Sequence, residues 1–284
     1  TIPGAAAGEY RVIVRTDVRN QLHEDVGEAN NTTAAANATS ISIETLTLDI
    51  PLTVNLAPGQ ERLYKIAVPA DQTLRLRVAG AALVTEADTP DTAVARLAAL
   101  RAAHPGPEFH VQSAKFFMDG VYENRTAANL RAYADAAAGN APCMFTADAT
   151  NALFTALDAA RFAIHVHVIG DAAARRALDG LQAARAANGP WPAQHQLAHL
   201  QLVDPADFAR LQDLATANIQ PLWACFDPTI PDIALDMIGP DRWPEVYAFR
   251  RMLDAGAEWC LSSDWAVSTL NPFEIIETAM TRQK

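Results

Sequence analysis

The chain has 284 residues, 50% of them hydrophobic and 19% charged, with a formal net charge of −11. That is an ordinary globular composition with enough material for one large or two medium cores. The acidic balance argues against nucleic acid or an anionic membrane as the main partner, because both need clustered Lys and Arg.

Three cysteines, Cys143, Cys225 and Cys260, are odd in number and widely spaced. They form neither a disulfide framework nor a CxxC metal site and are expected as buried thiols. No run approaches the ~18 apolar residues of a membrane span, and the opening TIPGAAAGEY lacks a basic region followed by an apolar core. The start without Met reads as mid-pattern, a piece of something longer.

From Glu9 to about Val78 the chain is rich in Thr, Val, Ile and Asn, with short alternating runs at 10–15, 40–48 and 74–78. Such runs broken by turn residues predict an all-β, sandwich-like segment. The stretches 10–17 and 24–31 resemble the end of a CARDB-like adhesion sandwich, and 54–68 resembles the opening of a second secreted β module. Both resemblances imply a surface or extracellular setting for residues 1–80. Neither module is complete, so the seam falls inside one.

After about Ala79, Ala and Leu dominate and helix-period stretches alternate with short apolar runs, the rhythm of βα units. Five strands are predicted, at 111–118, 162–169, 194–202, 218–223 and 258–263. Helices are predicted at 127–138, 151–160, 172–187, 205–215 and 244–255, with Asp204 as an N-cap before Pro205 and Gly256 as a C-terminal stop.

The strand ends carry the unusual residues. Lys115 lies in an otherwise apolar strand, where burial without a partner is costly. His165 and His167 share one strand, His195 and His199 bracket the next, and Asp264 ends the last. Residues two or four apart share a strand face, so each His pair could point together. In parallel βα barrels such groups converge at the C-terminal strand ends. Imidazole and carboxylate bind Zn²⁺ and similar ions, and an open coordination position brings the pKa of bound water to about 7. His165 and His195 read as structural, and Asp119 and Asp171, each beside a Gly, as turn or capping residues.

Five ordered motifs carry a family pattern: KFFMDGVYENRTA at 115–127, HVIGDAA at 167–173, HQLAHLQ at 195–201, IQP at 219–221 and SSDWAV at 262–267. Residues ~89–284 thereby resemble the YtcJ-like branch of the amidohydrolase superfamily, also called amidohydrolase family 3. The resemblance implies an α/β fold in which 81–284 form strands 4–8 of a partial TIM-like (β/α) barrel. It also implies a divalent metal site, most simply one or two Zn²⁺, that hydrolyses C–N bonds of small amide or formamide substrates. Lys115 matches the strand-four lysine, often carboxylated to bridge two metals. His167 and His199 match the strand-five and strand-six ligands. Asp264 matches the aspartate that holds the metal-bound water and shuttles its proton.

The sequence departs from the pattern at Ala198, where Glu is common, and at Ala172, where Arg is frequent. The family's first strand supplies a His-x-His pair, and the only such pair here is His165 and His167, on strand five. Activity of this chain is therefore expected to be impaired. Two other readings compete with a hydrolase: a secreted adhesion protein with a non-catalytic barrel remnant, and two genes joined during assembly. Composition leaves the oligomeric state open.

Overall fold

The computed structural model describes residues 78–284 except 107–108, 136–138, 225–230, 266, 270 and 282–284, with backbone only at 231–233. Within 1–77 it describes the backbone of six three-residue strands. The chain divides into two compact units, Thr1–Arg75 and Leu76–Lys284.

In the first unit, β1 (Gly8–Tyr10) pairs antiparallel with β4 (Thr39–Ile41), and β2 (Ile13–Arg15) pairs antiparallel with β3 (Thr32–Ala34). The strands β5 (Glu44–Leu46) and β6 (Tyr64–Ile66) run parallel. The CARDB-like and second-module readings otherwise lie outside the described residues.

The second unit is built on one open parallel sheet of six strands in chain order: β7 (Val78–Leu83), β8 (Phe109–Phe117), β9 (Ala163–Val168), β10 (Gln196–His199), β11 (Thr216–Ile219) and β12 (Trp259–Leu261). Every neighbouring pair is parallel. The fold is α/β, and the five expected strands are present. β7 is a sixth that sequence reading passed over. Its residues, VAGAAL, are too small to give a β-branched signal. They suit a close approach: a Cβ on Gly80 would lie 3.3 Å from the Phe109 ring, at the point where the β7–β8 register shifts.

Helices join successive strands. α1 (Pro90–Ala103) leads into β8, α2 (Ala147–Ala159) into β9, α3 (Asp171–Asn188) into β10 and α4 (Phe208–Leu214) into β11. α5 (Pro231–Ile238) and α6 (Phe249–Asp254) precede β12, and α7 (Pro272–Thr281) follows it. Thr89 caps α1 reciprocally with Thr92, with Pro90 in the first turn. Asp204 accepts from Ala206 N as expected, although 205–215 divides into a 3₁₀ turn at Pro205–Asp207 and α4. Gly256 closes α6 at φ +93, a conformation that favours glycine. The expected helix at 244–255 is shortened because Pro244 lies in a preceding 3₁₀ turn, Pro240–Glu245.

Across 127–135, the described part of the expected helix at 127–138, no helix forms. Groups distant in sequence pin this segment in an irregular path, a tertiary override of its helical propensity. Asp119 accepts from Ala128 N at 2.9 Å, Asn140 from Asn129 N at 3.0 Å and Asp171 from Leu130 N at 2.7 Å. Tyr133 OH donates back to Ala127 O at 2.7 Å, and Tyr122, Ala127 and Tyr133 are buried.

The core fills the space between sheet and helices. Ala114, Phe116, Ile164, Val166 and Leu197 face Leu97, Phe154, Leu157, Leu178 and Leu211, all buried. Strand alternation then puts Lys115, Phe117, His165 and His167 on the opposite face. The register sets Lys115 beside His165 and Phe117 beside His167. No described helix is long and apolar enough to cross a membrane.

Candidate active site at the strand ends

β9 carries His167 one residue from its C-terminal end, and β10 ends on His199. Their rings meet edge to face with centroids 4.5 Å apart, and both residues are buried. Trp223, in the 3₁₀ turn Pro221–Trp223 after β11, stacks on His199 at 4.6 Å with planes 6° apart, and donates Nε1–H to Ser268 Oγ at 3.2 Å. Phe117 lies 5.2 Å from the His167 ring.

Burial dominates the electrostatics. It holds His167 near pKa 4 and His199 near 2, with neighbouring Lys115 adding to both, and His165 is likewise held near 4. All three imidazoles are neutral at physiological pH, the form with a lone pair to offer. Burial also lowers Lys115 to about 8, opposed by the Asp264 charge. It raises Asp264, opposed by Lys115. These two are charge partners across the top of the sheet.

Contacts assign the nitrogens of His167. Its Nε2 lies 2.9 Å from Gly120 O, a hydrogen bond that places the proton on Nε2 and leaves Nδ1 as the lone-pair atom. Nδ1 of His199 is buried without a hydrogen-bond partner, a cost that a bound ligand would relieve. Backbone strain points to the same place. Among the six described non-glycine residues with positive φ are His199 (φ +79), Leu200 (φ +51) and Asp264 (φ +50), and such outliers cluster at functional sites.

Asp119 anchors this corner. Fully buried, it accepts from Ala128 N, Ile169 N and Gly170 N at 2.9, 3.0 and 2.8 Å, and lies 4.0 Å from His167 Nε2. Burial pushes it up to about 7 despite those donors. Asp171 opens α3. Both carboxylates are turn and loop fasteners, as their Gly neighbours suggested.

His195 sits at the other end of the sheet. Its Nδ1 accepts from Ile164 N at 3.0 Å and its Nε2 faces Asp158 Oδ1 at 3.3 Å, so it is structural and does not point with His199. Cys143 and Cys260 are half-buried rather than buried, and burial raises both thiols.

For a divalent ion, two adjacent neutral imidazoles, one with an unpartnered buried nitrogen, fit two coordination positions. Among the described residues no group of three or more His, Cys, Asp or Glu is placed to hold a metal. Of the expected set, His167 and His199 are in ring contact, and Lys115 and Asp264 influence each other through their charges. β12 ends at Leu261, and Asp264 lies three residues beyond it, outside the regular geometry that fixes the two histidines. Sequence reading missed Trp223 and Phe117, and an aromatic at or just past a strand's C-terminal end was the available signal.

A parallel βα sheet with chemistry-bearing residues gathered at its C-terminal edge is the layout of a (β/α)-barrel protein with its site at the top face. The chain belongs to the amidohydrolase family, whose model matches residues 52–284. The match begins well upstream of Thr89 and takes in 54–68, which had read as a β module. Among curated relatives, the chain is 28% identical over 170 residues to Protein LONG AFTER FAR-RED 3 of Arabidopsis thaliana, covering 59% of this chain and 29% of that protein. It is 25% identical over 179 residues to the putative amidohydrolase YtcJ of Bacillus subtilis (strain 168), covering 63% and 33%. The chain thus spans about a third of the length of these relatives. Among solved structures it is similar to an uncharacterized metal-dependent hydrolase from Pyrococcus horikoshii OT3, with TM-score 0.56 and 22% identity over 68% of this chain and 38% of that one. A counterpart from Pyrococcus furiosus gives TM-score 0.55 and 21% identity over 66% and 38%.

Proposed function

We propose that the second unit carries the later part of a metal-dependent amidohydrolase centre, with Lys115, His167, His199 and Asp264 as the residues that hold the ion. The substrate class is a small molecule with an amide or formamide C–N bond. The observation that carries this reading is the pair of neutral, buried imidazoles 4.5 Å apart, with His199 Nδ1 unpartnered. A divalent ion such as zinc, when bound, supplies the Lewis acidity that readies water to attack an amide carbonyl.

The chain's own residues do the rest. Gly120 O fixes the His167 tautomer, and Trp223 holds the His199 ring plane. Burial of Lys115 raises its uncharged fraction at pH 7 to roughly a tenth, a form able to take up carbon dioxide as a carbamate. Asp264, its carboxyl raised by burial, is suited to accept a proton from water and return it to the leaving amine. The sole His-x-His pair in the sequence lies on β9, so activity of this chain alone is expected to be weak.

Zinc content after dialysis, measured beside hydrolysis of a panel of N-substituted formamides, tests the reading. Close to one equivalent of zinc, lost in His167→Ala and His199→Ala, is expected. No retained metal and no hydrolysis would sink it.

A further inference from the structure

A cavity of about 560 Å³ opens at the C-terminal ends of β7 and β8, walled by Leu83, Val84, Phe117, Met144 and Phe145, with Glu86 its one charged lining residue. Its volume falls within the range of small-molecule sites, about 300–1,000 Å³. Leu83, Phe117 and Met144 are 47%, 42% and 43% exposed. Three large apolar side chains left partly in water around one recess carry a hydration cost that an apolar guest would remove.

Phe117 connects the recess to the site. Its ring lines the cavity, lies 5.2 Å from the His167 ring and has Lys115 Nζ 4.9 Å from its centre. Phe117 is therefore shared between the wall of the recess and the corner that holds His167 and Lys115.

We propose that this cavity is the substrate's side-group pocket and takes an uncharged apolar substituent of phenyl-ring size or larger, with Leu83, Phe117 and Met144 setting the preference. The proposal rests on the catalytic reading of His167 and Lys115, so the test separates the two. Binding of acetamide and phenylacetamide to the full chain is measured by ligand-observed NMR titration, and hydrolysis of both is followed in the same samples. Phenylacetamide should bind at least about tenfold more tightly, as expected for burying a ring. Met144→Glu and Leu83→Glu alter exposed side chains and should reduce that preference to within about twofold, while thermal melting reports an intact fold. Equal affinities in the parent chain overturn the pocket, as does a preference that survives both substitutions. A lost preference with no hydrolysis anywhere upholds the pocket and removes the catalytic reading. Hydrolysis with no preference does the reverse.

Discussion

An imidazole packed where water cannot follow resists protonation, and that resistance is a stability statement. His167 and His199 have folded pKa values near 4 and 2, below the ordinary 6.5. Above pH 6.5 neither the folded nor the unfolded chain protonates these rings, and their contribution is fully present. As pH falls below 6.5 the unfolded chain takes up protons that the folded chain cannot, so stability is lost. Asp119, raised to about 7, works in the opposite sense, because the folded chain takes its proton first. A comparison of variants isolates one ring. For the metal-free protein, the urea-unfolding free energy of the parent minus that of His199→Gln should fall by about 2 kcal/mol between pH 7 and pH 5. Parallel pH curves for the two proteins would show that the ring is not held neutral by burial. The residues of this corner were legible to different degrees. Lys115, His167, His199 and Asp264 stood out because each interrupts an apolar run at a strand end. Trp223 and Phe117 did not, since an aromatic in an apolar run reads first as core and its role depends on which neighbour it faces.

At the scale of elements, the β9–α3 turn shows how tightly the chain is drawn together beneath the site. Gly170, the N-cap of α3, has ordinary φ (−86), yet a Cβ there would lie 2.0 Å from Ala128 O. Its own N–H is spent on Asp119 at 2.8 Å. Gly189, at the other end of the same helix, has φ +73 and open space around a Cβ. The two glycines serve different needs, and alanine separates them. Gly170→Ala should cost about 2–3 kcal/mol, because a backbone carbonyl must move and carry the Asp119 corner with it. Gly189→Ala should cost about 1–2 kcal/mol, because φ +73 with ψ 173 is a conformation essentially confined to glycine. Chemical denaturation of both variants checks the order, and equal costs would mean that the 126–130 loop yields freely. The same loop marks where sequence reading failed. Its alanines gave a helical period, but the side chains that claim its amides, Asp119, Asn140 and Asp171, lie up to 41 residues away. By contrast α2 and α3 were visible because a helix buried along one face announces its own period.

On the scale of the whole chain, the order β7 to β12 leaves each outer strand of the sheet paired on one side only among the described residues. The five expected strands become six with β7, and among the described residues their pairing leaves the sheet open. Unpaired strand edges template further pairing unless charge or bulk discourages it. Beyond β12, Trp265, Val267, Phe273 and Met280 are 66%, 71%, 76% and 81% exposed. Trp259 on β12 itself is 49% exposed. That much exposed apolar surface along one run of chain favours association, while a net charge of −11 opposes it at low ionic strength. The two effects separate with salt. In sedimentation velocity the chain should remain at lower mass in ~20 mM salt and shift to larger species with rising concentration in ~0.5 M salt, where like-charge repulsion is screened. Phe273→Ser with Met280→Ser, both on α7, should shift that association to at least about fivefold higher protein concentration, since each removes most of a large exposed apolar side chain. A double variant that associates as the parent does would place the contact elsewhere, with the outer strand β7 the next surface to alter.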